Sequence, residues 1–101
     1  MDISEIKNLQ GANLIGANLQ GANFVKANLT KANLQGSNFR GSNLPGSSLQ
    51  GADFQWSNLY RAKNLSLDQL SKVKTLHGVK LDEELLIALK EKYPALLEKP
   101  E

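Results

Sequence analysis

A strict five-residue period runs through the middle of this chain. Large apolar residues stand at Leu9, Leu14, Leu19, Phe24, Leu29, Leu34, Phe39, Leu44, Leu49, Phe54 and Leu59, eleven centres of which eight are Leu and three Phe. Two positions before each centre after the first is a small residue: Ala12, Ala17, Ala22, Ala27, Ala32, Ser37, Ser42, Ser47, Ala52 and Ser57, with Lys7 in the first repeat. The residue just before each centre is Asn, except Ser48 and Asp53. The residue two after it is Gly in seven of eleven repeats, and Lys26, Lys31, Trp56 and Arg61 are the exceptions. A period of five would wind apolar residues all round an α-helix and would put successive centres on opposite faces of a strand. Neither element can bury them together. Within a repeat, however, the small residue and the centre share a parity, so a short extended segment points both the same way and the Asn the other. Gly tolerates φ > 0 and Asn makes local side-chain hydrogen bonds, so the chain is expected to turn a corner every five residues.

This run of Ala-Asn-Leu-Gln-Gly, covering about residues 7–61, resembles the pentapeptide-repeat family and its A(D/N)LXX motif. The resemblance implies an all-β solenoid, a right-handed quadrilateral β-helix with one repeat per side. Twenty residues then complete a coil, and the interior columns read Leu9/Leu29/Leu49, Leu14/Leu34/Phe54, Leu19/Phe39/Leu59 and Phe24/Leu44. Residues 8–61 make about 2.7 coils at roughly 4.8 Å each, so the body is expected to have about three coils. No column holds two Phe, and each ring is expected between Leu side chains.

A chain of 101 residues allows one domain, here 1–101, with regular repeats over 7–61 and degenerate repeats and capping helices over 62–101. The cap is expected because the ends of a solenoid expose strand edges and Leu. The rhythm breaks where the next centre would be the polar Asn64. Ser66 with Gln69 three residues later reads as a capping box, predicting a short helix over 67–74 with Leu67, Leu70 and Val73 on one face. Leu76 and Leu81 suggest one or two degenerate repeats, the first in question because Lys74 occupies its small position. A second helix is predicted from Asp82 to Tyr93, with acids in its first turn and Leu85, Leu86, Leu89 and Tyr93 as its buried stripe.

The absence of Cys excludes disulfides and thiolate metal sites, and the single His77 leaves no nucleophile and base to pair. The expectation is a protein that is no enzyme and has no catalytic residue, cofactor, metal or small-molecule substrate. The opening residues lack an apolar leader and no apolar run is long enough to span a membrane, so the expected setting, with the family in view, is bacterial and cytoplasmic.

Charge narrows the choice further. Residues 8–61 carry Lys26, Lys31, Arg40 and Arg61 against Asp53, a balance of +3, and residues 62–101 carry seven of each sign. One branch of the family that the sequence resembles, the fluoroquinolone-resistance proteins, modulates DNA gyrase by mimicking DNA with a rod-like, strongly acidic surface. That function is the alternative reading, and this coil is short and has the opposite sign. Four scattered cations also argue against direct nucleic-acid binding. The favoured function is a scaffold or protein-binding module with an unknown protein partner. Its candidate contact residues are Arg40 and Tyr60, twenty apart in one outward column, with Arg61 beside them and Trp56 at the preceding corner. The competing expectation, which the sequence favours, has Trp56 and Tyr60 covered by the C-terminal helices. Ile87, Leu96 and Leu97 fall outside the helical stripe and are read as a homodimer contact, with a fold-back at Pro94 as the other way to cover them.

Overall fold

The computed structural model describes residues 8–100. Parallel bridges join Asn8 to Asn28, Asn13 to Asn33, Asn18 to Asn38 and Asn23 to Asn43, then Asn28 to Ser48, Asn33 to Asp53, Asn38 to Asn58 and Asn43 to Lys63. Every link spans twenty residues and successive links are five apart, so four short sides close each circuit. We call these sides A, B, C and D, centred in the first circuit on Leu9, Leu14, Leu19 and Phe24.

Each corner is built in the same way. The Ala12 N–H donates to the Leu9 carbonyl at 3.0 Å across a turn whose third residue, Gly11, has φ of +68°. This is the type II pattern, which asks for a residue tolerant of φ > 0. The Asn8 side chain holds the entry to the turn, its Oδ1 accepting the Gln10 N–H at 3.1 Å. The same bond recurs at Asn13, Asn18, Asn23, Asn28, Asn33, Asn38 and Asn58, and Asp53 and Thr75 make it where Asn is missing; Asn43 makes none, because Pro45 has no N–H to donate. The Asn column is therefore a backbone device.

Inside, the centres from Leu19 to Leu59 and the small residues from Ala22 to Ser57 are buried, while Leu9 and Leu14 in the first circuit are half-buried. The three Phe also meet one another between columns, which the columns alone do not suggest. Phe24 and Phe39 stack with centroids 4.9 Å apart, and Phe39 meets Phe54 edge-on at 5.6 Å. Fifteen residues is three sides of the square, so the rings step diagonally through the interior. Offset and edge contacts of this kind suit the charge distribution of aromatic rings.

The coil is left at Asn64, whose φ is +57°. Helix α1, Leu67–Ser71, follows and is shorter than the predicted 67–74. It stops because residues 72–74 rejoin the coil: the Lys72 carbonyl accepts the Gly51 N–H and the Lys74 N–H donates to the Ala52 carbonyl, both at 2.8 Å. The predicted capping box is present, with the Ser66 hydroxyl accepting the Gln69 N–H and Gln69 Oε1 accepting the Ser66 N–H. Gln69 also donates through Nε2 to the carbonyls of Leu44 and Ser47, at 2.8 and 3.1 Å.

Both degenerate repeats form. Thr75 bridges to Asp53 and Lys80 to Asn58, now at a spacing of 22 because the excursion through α1 adds two residues. Lys74 does not obstruct the first repeat, because it is exposed. Helix α2, Glu83–Lys92, buries Leu89 and packs Leu85 and Leu86 against the core. Tyr93 does not continue that stripe: it is the C-cap, 39% exposed, where the chain breaks into a 3₁₀ turn, Pro94–Leu97. That turn folds back. The Leu96 carbonyl accepts the Leu76 N–H at 2.7 Å, and Leu96 and Leu97 are half-buried against the core.

Candidate interaction surface

The corner positions with φ > 0 explain how the candidate residues are placed. Four described residues at these corners are neither Gly nor Asn: Lys26, Lys31, Trp56 and Arg61, with φ between +55° and +65°. A side chain in this region costs about 1–2 kcal/mol, so each of the four is strained relative to Gly. The side chains of Lys26 and Lys31 lie across the corner of the following circuit. Lys31 Cγ would sit 3.2 Å from a Cβ placed at Gly51, and Lys26 Cγ 3.5 Å from one at Gly46.

Trp56 lies over Gly78 in the same way, its ring edge-on to His77 at 4.8 Å between centroids. It remains 59% exposed, so the expectation that the C-terminal helices cover it is overturned. Leu70 of α1 and Leu89 of α2 are buried in the core, and the corner carrying Trp56 lies outside it. Tyr60, at the next corner, is 40% exposed. Arg40 and Arg61 both approach its ring, their guanidinium carbons 5.9 and 5.3 Å from the centroid, a cation–π arrangement. Neither arginine joins an ion pair: among the described residues the one such pair is Lys72 with Asp68, at 3.6 Å. The strained backbone at Arg61 is held by Asp82, whose Oδ1 accepts the Arg61 N–H at 2.9 Å.

Three of the four candidates, Arg40, Tyr60 and Arg61, are thus brought together, and Trp56 stands at the other end of side C, packed on His77. From the sequence alone His77 is notable only as the single histidine. In fact its Nδ1 also lies 3.2 Å from the Leu97 carbonyl, tying the chain's end to the Trp56 corner. The signal was available, since position 77 follows Gln55 by the 22-residue spacing of the last circuit. Ile15, 57% exposed, belongs to the same corner column as Gln35 and Gln55. Of the three residues read as a dimer contact, Ile87 is 51% exposed and Leu96 and Leu97 have partners within the chain. Among the described residues no group of His, Cys, Asp or Glu is placed to hold a metal ion, and no helix is long and apolar enough to cross a membrane.

The family model for pentapeptide repeats matches residues 8–46 and 27–66, in eight copies, which together exceed half of the chain. The chain is a pentapeptide-repeat protein. Such proteins adopt the right-handed quadrilateral β-helix. Among solved structures, this pentapeptide-repeat protein is similar to Rfr23 from the cyanobacterium Cyanothece 51142, with 32% identity, a TM-score of 0.58, and coverage of 81% of this chain and 50% of that one. It shares its fold with full-length QnrB1, a plasmid-mediated fluoroquinolone resistance protein, at 24% identity and a TM-score of 0.65, covering 84% of this chain and 39% of QnrB1. The chain therefore spans half or less of the length of these two relatives. A comparison with curated proteins found no match.

Proposed function

We propose that this pentapeptide-repeat protein is a non-enzymatic scaffold that binds a protein partner through Arg40, Trp56, Tyr60 and Arg61. The observation that carries this reading is Trp56 itself. A tryptophan at φ of +65° in a corner where Gly is the common residue, and 59% exposed there, is strained without being buried in return. Strain kept at an exposed aromatic is the mark of a surface shaped for contact. Arg61, also strained, flanks the second exposed ring.

Residues 62–100 are proposed to act as the cap of the solenoid. Supporting this are the Leu96 carbonyl on the Leu76 N–H, Gln69 on the carbonyls of Leu44 and Ser47, and Leu85 and Leu86 on the core. The proposed working unit is a monomer. Ile87 is all that remains exposed of the expected dimer contact, and its helical neighbours Glu83, Glu84, Lys90 and Glu91 are charged. One isoleucine so ringed falls short of the area a stable dimer needs. Gyrase modulation by DNA mimicry remains the alternative, opposed by the +3 balance of residues 8–61.

Affinity capture with the tagged full chain tests the reading. A protein retained by the wild type and lost by Trp56→Gly/Tyr60→Ala, with the variant still folded, is expected. A partner held equally by both would remove this surface from consideration, and inhibition of supercoiling at micromolar protein would favour the alternative.

A further inference from the structure

We propose that the surface beside Tyr60 takes an acidic segment of a protein partner, a carboxylate seating on Arg40 and Lys80 while a neighbouring apolar side chain enters the depression next to them. The inference rests on the protein-binding reading above and adds the chemistry of what is bound.

Two shallow depressions flank Tyr60, and they differ in charge. One is lined by Tyr60, Arg61, Leu81, Leu86, Asp82 and Glu83, so its cation already faces two carboxylates. The other is lined by Arg40, Tyr60 and Lys80 with Val79, Leu86 and their neighbours, and no acid borders it. It offers two cations beside apolar side chains. Arg40 is placed to receive a carboxylate with both arms of its guanidinium, since it has no ion pair among the described residues. The wider surface points the same way. Asp53, the coil's one acid, is 8% exposed and both its oxygens are engaged, one by the Gln55 N–H and one by Gln35 Nε2. The exposed surface of residues 8–61 therefore presents four cations and no free carboxylate. Positive potential of one sign over a face steers and selects a partner of the opposite sign. Base-stacking on Tyr60 by nucleic acid would use the same ring, but the depression reads a compact anion next to an apolar group, which an Asp or Glu beside Leu or Val supplies.

The test is a titration of the isotopically labelled full chain, followed by amide NMR shifts, with three capped pentapeptides: Glu-Leu-Glu-Leu-Glu, its Gln counterpart and its Lys counterpart. Saturable shifts centred on Asn58, Tyr60 and Lys80 are expected for the acidic peptide, with the Gln peptide weaker by about tenfold or more. Arg40→Glu should weaken the acidic peptide by a similar factor, while Lys26→Glu/Lys31→Glu, on corners away from side C, should change it by less than about twofold. No saturable shift at millimolar acidic peptide, or equal losses from both sets of variants, would overturn the proposal. Stronger shifts at the same amides from a duplex or single-stranded oligonucleotide would reassign the surface to nucleic acid. The two readings fail separately. A captured partner that needs Trp56 and Tyr60 but tolerates Arg40→Glu sinks the acidic chemistry and leaves the binding module standing. Peptide binding that survives Trp56→Gly/Tyr60→Ala does the opposite.

Discussion

The ring of Trp56 fills the space above Gly78 so completely that a Cβ added to Gly78 would fall within 2.9 Å of Cδ2 and overlap Cε3 and Cζ3. The relationship recurs at three of the four corners where a larger residue takes the φ > 0 position, Lys26 before Gly46, Lys31 before Gly51 and Trp56 before Gly78; Arg61, whose N–H is held by Asp82, is the exception. Gly78→Ala should therefore cost about 2–4 kcal/mol, the left-handed backbone and the clash together, whereas Gly11→Ala, with nothing within 4 Å, should cost only about 1–2. Denaturation midpoints of the two variants decide this. Adding Trp56→Gly to Gly78→Ala should recover part of the loss.

Relief of strain should stabilise. Lys26 has φ of +55° and is exposed, so Lys26→Gly removes an unfavourable backbone state and loses little packing. After the greater freedom of Gly in the unfolded chain is subtracted, a gain of about 0.5–1 kcal/mol is expected by urea denaturation.

The small positions separate by hydrogen bonding. Ser57 Oγ donates to the Phe54 carbonyl at 2.8 Å, but the buried Ser37 and Ser42 hydroxyls have no partner. Ser42→Ala should accordingly raise stability by about 1 kcal/mol, and Ser57→Ala should lower it by about 0.5–1.5. Opposite signs in one thermal-melt series are the expected result.

Core and surface positions of the coil should divide sharply. Leu34 is fully buried, and Leu34→Ala should cost about 2–5 kcal/mol through the cavity it leaves. The exposed Gln50 provides the contrast, with Gln50→Ala near zero. Gln35 is not an equivalent control despite its outward column, because its Nε2 donates to Asp53 at 2.9 Å; Gln35→Ala should cost about 1 kcal/mol.

These cases also show what the bare sequence reveals. The stacking of Leu14, Leu34 and Phe54, the turn after every centre and the Ser66–Gln69 box follow from periodicity and local chemistry, which are written residue by residue. The contacts of Phe24 with Phe39 and of Phe39 with Phe54 were hidden, because a twenty-residue stacking rule compares positions within a column and these rings meet between columns. The return of Leu96 onto Leu76 depends on the direction the chain takes after Pro94, and no short-range pattern encodes that direction. The exposure of Trp56 was misjudged for a related reason: lying in the last regular circuit is not the same as lying under the helices, since a corner side chain points sideways. Its place opposite Gly36 and Gly78 was the available clue that it occupies a corner needing φ > 0.

Trp56 is the chain's single tryptophan, so its fluorescence reports on one site. Quenching by iodide in the native protein, compared with the same protein in denaturant, tests most directly the claim that this residue is presented to a partner. At 59% exposure the account predicts native quenching that is a large fraction of the denatured value, reduced when a captured partner is added. Native quenching close to that of a buried indole would place Trp56 beneath the C-terminal segment and contradict the account.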